Sequence, residues 1–307
     1  METERSHEYG MRMPDLPQPA HPEYGDLRSR GERLVSERVG ELDIGLDLDV
    51  HPKLRARLAE LGSHFDDSVQ MAEMIRSLFV DLKTELDLPD ADPKRMMRAA
   101  VLHDIGKSGP EVGSDRLRFA VRRLFVTPPR RFSPNAEDGQ PKTIRDFMVE
   151  FDFGESEQEE IGRALNEVGI GADSESILDF WRRHVDWTYE ILQSNQGEGI
   201  DQSVVAITST HHLLEGKNPA KVDLGRMPVE ATVIETLELA QFLSVVDKYQ
   251  AFRVRSGMGH EATMSVLNKI VDQHMELPEP LRTGFHKVLD VFSRNGEALE
   301  SLLAGRK

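Results

Sequence analysis

Asp92-Pro93-Lys94-Arg95-Met96-Met97-Arg98-Ala99-Ala100-Val101-Leu102-His103-Asp104-Ile105-Gly106-Lys107 is the stretch that decides the reading of this chain. Asp92 is a good N-cap and Pro93 suits the first helical position. Met96, Met97, Ala100 and Val101 recur at helical spacing, so this face turns inward, and Gly106 is expected to close the helix after Ile105. The helix therefore carries an adjacent His103 and Asp104 toward the interior. A buried carboxylate needs a cation or several donors, and a divalent metal supplies that charge.

Working outward, helical periodicity continues almost everywhere from about Asp26, and strand-like alternation is rare. The expected fold is all-α. Helices are predicted over about His64 to Leu86, Ser174 to Gln193, Ser203 to Leu214, Pro228 to at least Phe252, His260 to Met275 and Pro278 to Ser293. The first 25 residues carry four prolines among polar residues and read as an extended or disordered arm. The domain reading is an N-terminal arm over 1–50, partly disordered, then one helical domain over 51–307. Between Gly109 and Asp173 the pattern is less regular, with a loop beginning at Thr127-Pro128-Pro129 and running through Pro141.

The chain has 307 residues, no cysteine, 11 histidines and a formal net charge of −16. Without cysteine, disulfides, a thiol nucleophile, Fe–S clusters and cysteine zinc sites are excluded, and a metal must be held by imidazole and carboxylate. The acidic balance argues against a nucleic-acid polymer as partner. No signal-like start and no apolar run near the ~20 residues that span a bilayer are visible, so a cytoplasmic protein without a membrane partner is expected. One segment opposes the overall charge: Lys107 to Arg131 has seven basic and two acidic residues, a net +5. It is either a solvated helix face whose acidic partners come from elsewhere or a phosphate-attracting rim.

Three further segments place histidine or aspartate on inward faces, each of which could be a hydrogen-bonded core residue or a metal ligand. His184 lies in a stripe with Ile177, Phe180, Trp181, Thr188 and Ile191. His211-His212 follow Val204, Val205, Ile207 and Thr208, and on a helix adjacent histidines diverge by about 100°, which suits two metals better than one. Asp247 shares a core-facing stripe with Ala240 and Leu243, costly for a carboxylate without a partner. Trp181, Trp187 and Tyr189 read mainly as core residues.

In this order the residues resemble the HD superfamily of metal-dependent phosphohydrolases, and within it the HD-GYP phosphodiesterases. His103-Asp104-Ile105-Gly106-Lys107 resembles the name-giving motif. Arg183 to Leu192, Thr210-His211-His212 and Val246 to Ala251 resemble the later ligand segments, and Arg253-Val254-Arg255 and His260-Glu261-Ala262 the elements after them. The resemblance implies an HD-domain helical bundle and a metal set of His64, His103, Asp104, His184, His211, His212 and Asp247. Asp104 would bridge two ions, with His64, His103 and Asp247 on one side and His184, His211 and His212 on the other. It implies catalytic roles for Asp104 and Lys107 and two divalent ions, or three, with Fe or Mn favoured among the metals such ligands suit. Lys217, Arg253 and Arg122 are the candidate substrate contacts. Glu60 matches a third-metal position but reads as solvent-facing, with Gly62 breaking the helix before His64.

Two departures bear on substrate. Where the GYP signature should follow the histidine pair, the chain reads Leu213-Leu214-Glu215-Gly216-Lys217-Asn218-Pro219. The interval from His103 to His184 is about fifty residues longer than the resemblance implies, so an insertion at about 111–172 is expected to form a cap near the metal mouth. The function implied is hydrolysis of a cyclic dinucleotide such as cyclic-di-GMP, or of another small nucleotide phosphate ester, by metal-activated water. The alternatives are a catalytically inactive metal-binding signalling protein and an HD-type di-iron oxygenase. A homodimer or a signalling-protein partner is compatible with each.

Overall fold

The computed structural model describes residues 22–126, 142–215, 231–273 and 279–304. The expected all-α fold is what these residues adopt. Thirteen α-helices are described, and among the described residues β-pairing is confined to two isolated bridges. In order they are α1 Pro22–Leu42, α2 Pro52–Glu60, α3 Ser63–Glu85, α4 Pro93–Leu102, α5 Asp115–Val126, α6 Ile144–Glu150 and α7 Glu155–Asn166. They continue as α8 Ile177–Ser194, α9 Gln202–Ser209, α10 Ala231–Gln250, α11 His260–Gln273, α12 Glu279–Arg294 and α13 Gly296–Ala304.

Side-chain caps set several starts. Asp92 accepts from Lys94 N at 2.9 Å ahead of Pro93, Ser176 accepts from Asp179 N at 3.1 Å, and Asp201 accepts from Val204 N at 2.8 Å. Each is worth about 1 kcal/mol against alanine. Gly62, at φ +56°, separates α2 from α3 as expected, since a left-handed residue ends one helix and re-aims the next.

Two hydrophobic cores organise the helices. The larger gathers α1–α4, α9–α13 and the end of α8, with Leu54, Leu58, Met74, Ile75, Leu78, Val101, Leu243 and Phe285 fully buried. The smaller gathers α5–α7 with the first half of α8 around Phe147, Leu124, Leu165 and Phe180. Helix α8 thus spans both cores: Ile177, Phe180 and Trp187 face the smaller and Ile191 and Leu192 the larger. The region read as irregular between Gly109 and Asp173 contains three helices. The part with α6 and α7 is closed at its base, where Ile144 N donates to Glu175 O at 3.0 Å and Ile177 N to Lys142 O at 2.9 Å. The loop expected over 127–141 lies outside the described residues, as do Pro228 and the first 21 residues. Within the 1–50 segment, Val35, Val39, Leu42, Ile44, Leu46 and Leu48 are buried in the larger core.

Two boundaries differ from expectation for a tertiary reason. Helix α4 stops at Leu102, and Gly106 sits inside a short 3-10 turn, Ile105–Ser108. The glycine is needed because α8 crosses directly over it: a Cβ there would lie 1.9 Å from His184 O and 2.6 Å from Thr188 N. Helix α9 stops at Ser209, so His211 and His212 lie beyond it in a turn and are not spread by helical geometry. Helix α13 was not expected from periodicity; it packs through the buried Leu299.

Candidate metal centre

Three histidine rings share one local design. The Nδ1 of His103 lies 2.7 Å from Ala100 O, that of His184 2.5 Å from Trp181 O, and that of His211 2.7 Å from Thr208 O. Each carbonyl is three residues back, where the end of a helix or a helical turn offers it. A carbonyl only accepts, so Nδ1 carries the proton in all three and Nε2 presents a lone pair inward. The Ser68 hydroxyl, donating to His64 O at 2.9 Å, also lies 3.4 Å from His103 Nδ1 and ties α3 to this ring.

Those lone pairs converge. His184 Nε2 is 3.1 Å from His211 Nε2 and 3.4 Å from His212 Nε2, a trio with two buried members and one half-buried, able to hold a metal ion. Burial pushes the His184 imidazole down to about 4 and holds His211 well below its ordinary value, the latter helped by the neighbouring imidazoles. At neutral pH His184 and His211 are uncharged with their protons on Nδ1, so no proton sits between their Nε2 atoms. Facing lone pairs repel, and a cation resolves the conflict.

Asp104 adjoins this trio. Its Oδ1 is 3.4 Å from His184 Nε2, while its Oδ2 is 3.4 Å from His103 Nε2 and 4.0 Å from His64 Nδ1. Asp247 Oδ1 closes that second side, 3.8 Å from His103 Nε2. Burial works to raise the Asp104 carboxyl, but His103, Lys107 and His184 together hold it well below the usual carboxylate range. The Asp247 carboxyl is likewise lowered against its burial, by Lys248 and His103. Lys107 Nζ reaches Asp104 Oδ2 at 2.5 Å, the ammonium lying on the oxygen that faces His103. The fold therefore brings His64, His103, Asp104, Lys107, His184, His211, His212 and Asp247 into one cluster.

The turn bearing His103 and Asp104 is fixed by residues that the sequence reading did not single out as functional. Thr188 of α8 accepts from Gly106 N at 3.0 Å and donates to His103 O at 3.1 Å, satisfying two buried backbone groups. Arg57, nearly buried on α2, donates to Ser108 Oγ at 3.1 Å, Gly109 O at 3.0 Å and Pro110 O at 3.0 Å, and pairs with Glu111 at 3.1 Å. An arginine between Leu54 and Leu58 was the available signal for it.

The candidate substrate contacts stand apart from this. Arg122 pairs with Glu60 at 3.3 Å, so Glu60 is partly buried against α5 and not turned to solvent. Arg116, Arg118 and Arg123 are paired with Glu160, Asp115 and Glu157. The described part of the basic stretch is thus a helix face with acidic partners, two of them, Glu157 and Glu160, supplied by α7. Arg253 is engaged by Met258 O and by Glu300 of α13. Lys217 lies outside the described residues.

Fold and site together define an all-α protein with a buried histidine cluster fit for a metal ion. No family model, curated protein or solved structure matches the chain. None of the described helices is long and apolar enough to cross a membrane.

Proposed function

We propose that this chain is a metal-dependent phosphohydrolase of the kind the HD resemblance implies, acting on a small phosphodiester such as a cyclic dinucleotide. One observation carries the reading: the two oxygens of Asp104 face separate groups of ligating atoms, His184 with His211 and His212 on one side and His103 with His64 and Asp247 on the other. A single carboxylate between two such groups suits a two-ion site.

The residues fit divalent ions that accept nitrogen and oxygen, with Fe or Mn favoured by the resemblance. Bound there, such ions supply Lewis acidity toward phosphoryl oxygen and lower the pKa of a water nucleophile. The protein's own contribution is orientation and charge. The Nδ1–H bonds to Ala100, Trp181 and Thr208 fix the rings before any ligand arrives. Asp104 and Asp247, ionised at neutral pH, offset the ions' charge. Lys107, on the rim of the cluster beside Asp104, is placed to neutralise a phosphoryl oxygen once it leaves that carboxylate.

The test is a metal and ester screen on the full chain purified without chelator. Elemental analysis is expected to give about two ions per chain. Cyclic-di-GMP, a linear dinucleotide and a bis-aryl phosphate are then assayed, with Asp104→Ala as control. Bound metal without turnover of any ester would turn the reading toward a regulatory protein, and full turnover in the Asp104→Ala variant would overturn the mechanism.

A further inference from the structure

His64 differs from the other candidate ligands in what orients its ring. His103, His184 and His211 are each held by a carbonyl of their own segment. His64 Nε2 instead lies 3.4 Å from the carbonyl oxygen of Phe125, in the last turn of α5. Since that oxygen only accepts, the His64 proton sits on Nε2, and Nδ1 is the atom facing Asp104 Oδ2 at 4.0 Å. His64 would ligate through the opposite nitrogen from its three neighbours.

Helix α5 belongs to the segment inserted between Asp104 and His184, and its end is pinned to α8. Trp181 Nε1 donates to Leu124 O at 3.1 Å. The Phe125 ring stands edge-on to His184, with centroids 5.8 Å apart and planes at 75°, and packs on Phe180 at 5.5 Å. One helix end thus touches ligating histidines on both sides of Asp104.

We infer that the last turn of α5 is a positioning element for the metal centre: the Phe125 carbonyl sets the tautomer of His64, and the Trp181–Leu124 hydrogen bond holds that carbonyl in place. Docking of the inserted segment and metal binding on the His64 side are therefore coupled, and the coupling is reciprocal. The inference rests on the proposed function only in taking His64 as a ligand.

The experiment uses the full chain labelled with ¹⁵N-histidine, metal-free, with His64 assigned through a His64→Gln variant. Ring ¹⁵N shifts are expected to show the Nε2–H tautomer for His64 and Nδ1–H for His103, His184 and His211. Trp181→Phe keeps the aromatic packing and deletes the donor to Leu124. It is expected to shift His64 away from the pure Nε2–H form and to weaken one of two Mn²⁺ affinities about tenfold, read by chelator competition, leaving the other unchanged. A wild-type His64 carrying its proton on Nδ1 would overturn the inference, whatever the variant does. So would a Trp181→Phe chain with the His64 tautomer and both Mn²⁺ affinities unaltered. Neither readout uses turnover, so an inactive protein with the expected tautomers and affinities refutes the hydrolase reading and leaves this inference standing.

Discussion

Asp104 Oδ1 lies 3.4 Å from His184 Nε2, although the two residues come from segments separated by the whole of α5, α6 and α7. The approach is made possible by Gly106, over which α8 crosses without room for a side chain. Within the intervening segment, the part from Lys142 through α6 and α7 to Ile177 is closed on itself by the Ile177 N–Lys142 O and Ile144 N–Glu175 O hydrogen bonds.

Removal of the shared carboxylate is expected to affect both sides of the cluster at once. Asp104→Asn should cut metal affinity by more than the 10–100-fold typical of losing an outer partner, and bring ester turnover to background. Elemental analysis after gel filtration and a phosphodiester assay check both. Retention of two ions would contradict the shared role.

Gly106→Ala should destabilise the protein by about 3 kcal/mol, because the new methyl meets backbone oxygen at 1.9 Å, which no rotamer change relieves. Urea denaturation of metal-free protein measures this directly. An unchanged midpoint would mean that α8 and the 3-10 turn separate without cost.

Thr188 offers a sharper probe, since its hydroxyl serves both Gly106 N and His103 O. Thr188→Val keeps the volume but leaves two buried backbone groups without partners, at an expected cost of about 2 kcal/mol. Thr188→Ser retains the hydroxyl and should recover most of the loss. Equal midpoints for the two variants would assign Thr188 a packing role alone.

Acid should destabilise the metal-free protein earlier than carboxylate titration alone predicts. His184 is held down at about 4 in the folded state, against about 6.5 for an unfolded histidine. Between these values the unfolded chain binds the extra proton, so stability is fully present above pH 6.5 and falls as pH drops toward 4. The loss is on the order of 3 kcal/mol for this ring. Asp104, held well below its ordinary value despite its burial, adds its loss only at lower pH. Denaturation midpoints in EDTA from pH 8 to 4 should therefore decline below pH 6.5, and His184→Gln should flatten that part of the curve.

Much of the site was legible in the sequence for one reason: polar side chains on apolar stripes are costly, so His184 and Asp247 stood out against their helices. His103-Asp104 and His211-His212 stood out as adjacent pairs. What holds them was not legible. Thr188 reads as one more small residue of an inward stripe until Gly106, 82 positions earlier, is laid beneath it. Nothing in the sequence marked Phe125, and only the fold puts its carbonyl against a histidine 61 residues away. The arginines from Arg116 to Arg123 looked like a phosphate rim or a paired face, and the choice depended on where Glu60, Glu157 and Glu160 were delivered.

The sequence by itself determined the helical class, the starts of α3, α4, α9 and α11, and the inward His103, Asp104, His184 and Asp247, because periodicity, caps and the cost of buried polarity are local properties; His64 and Lys107 came from the resemblance. Tertiary structure decided where α4 and α9 end, that His211 and His212 converge on His184, and that α5 reaches His64. Those outcomes depend on which backbone atoms meet across long separations, and close packing of α8 on the Gly106 turn fixes that meeting.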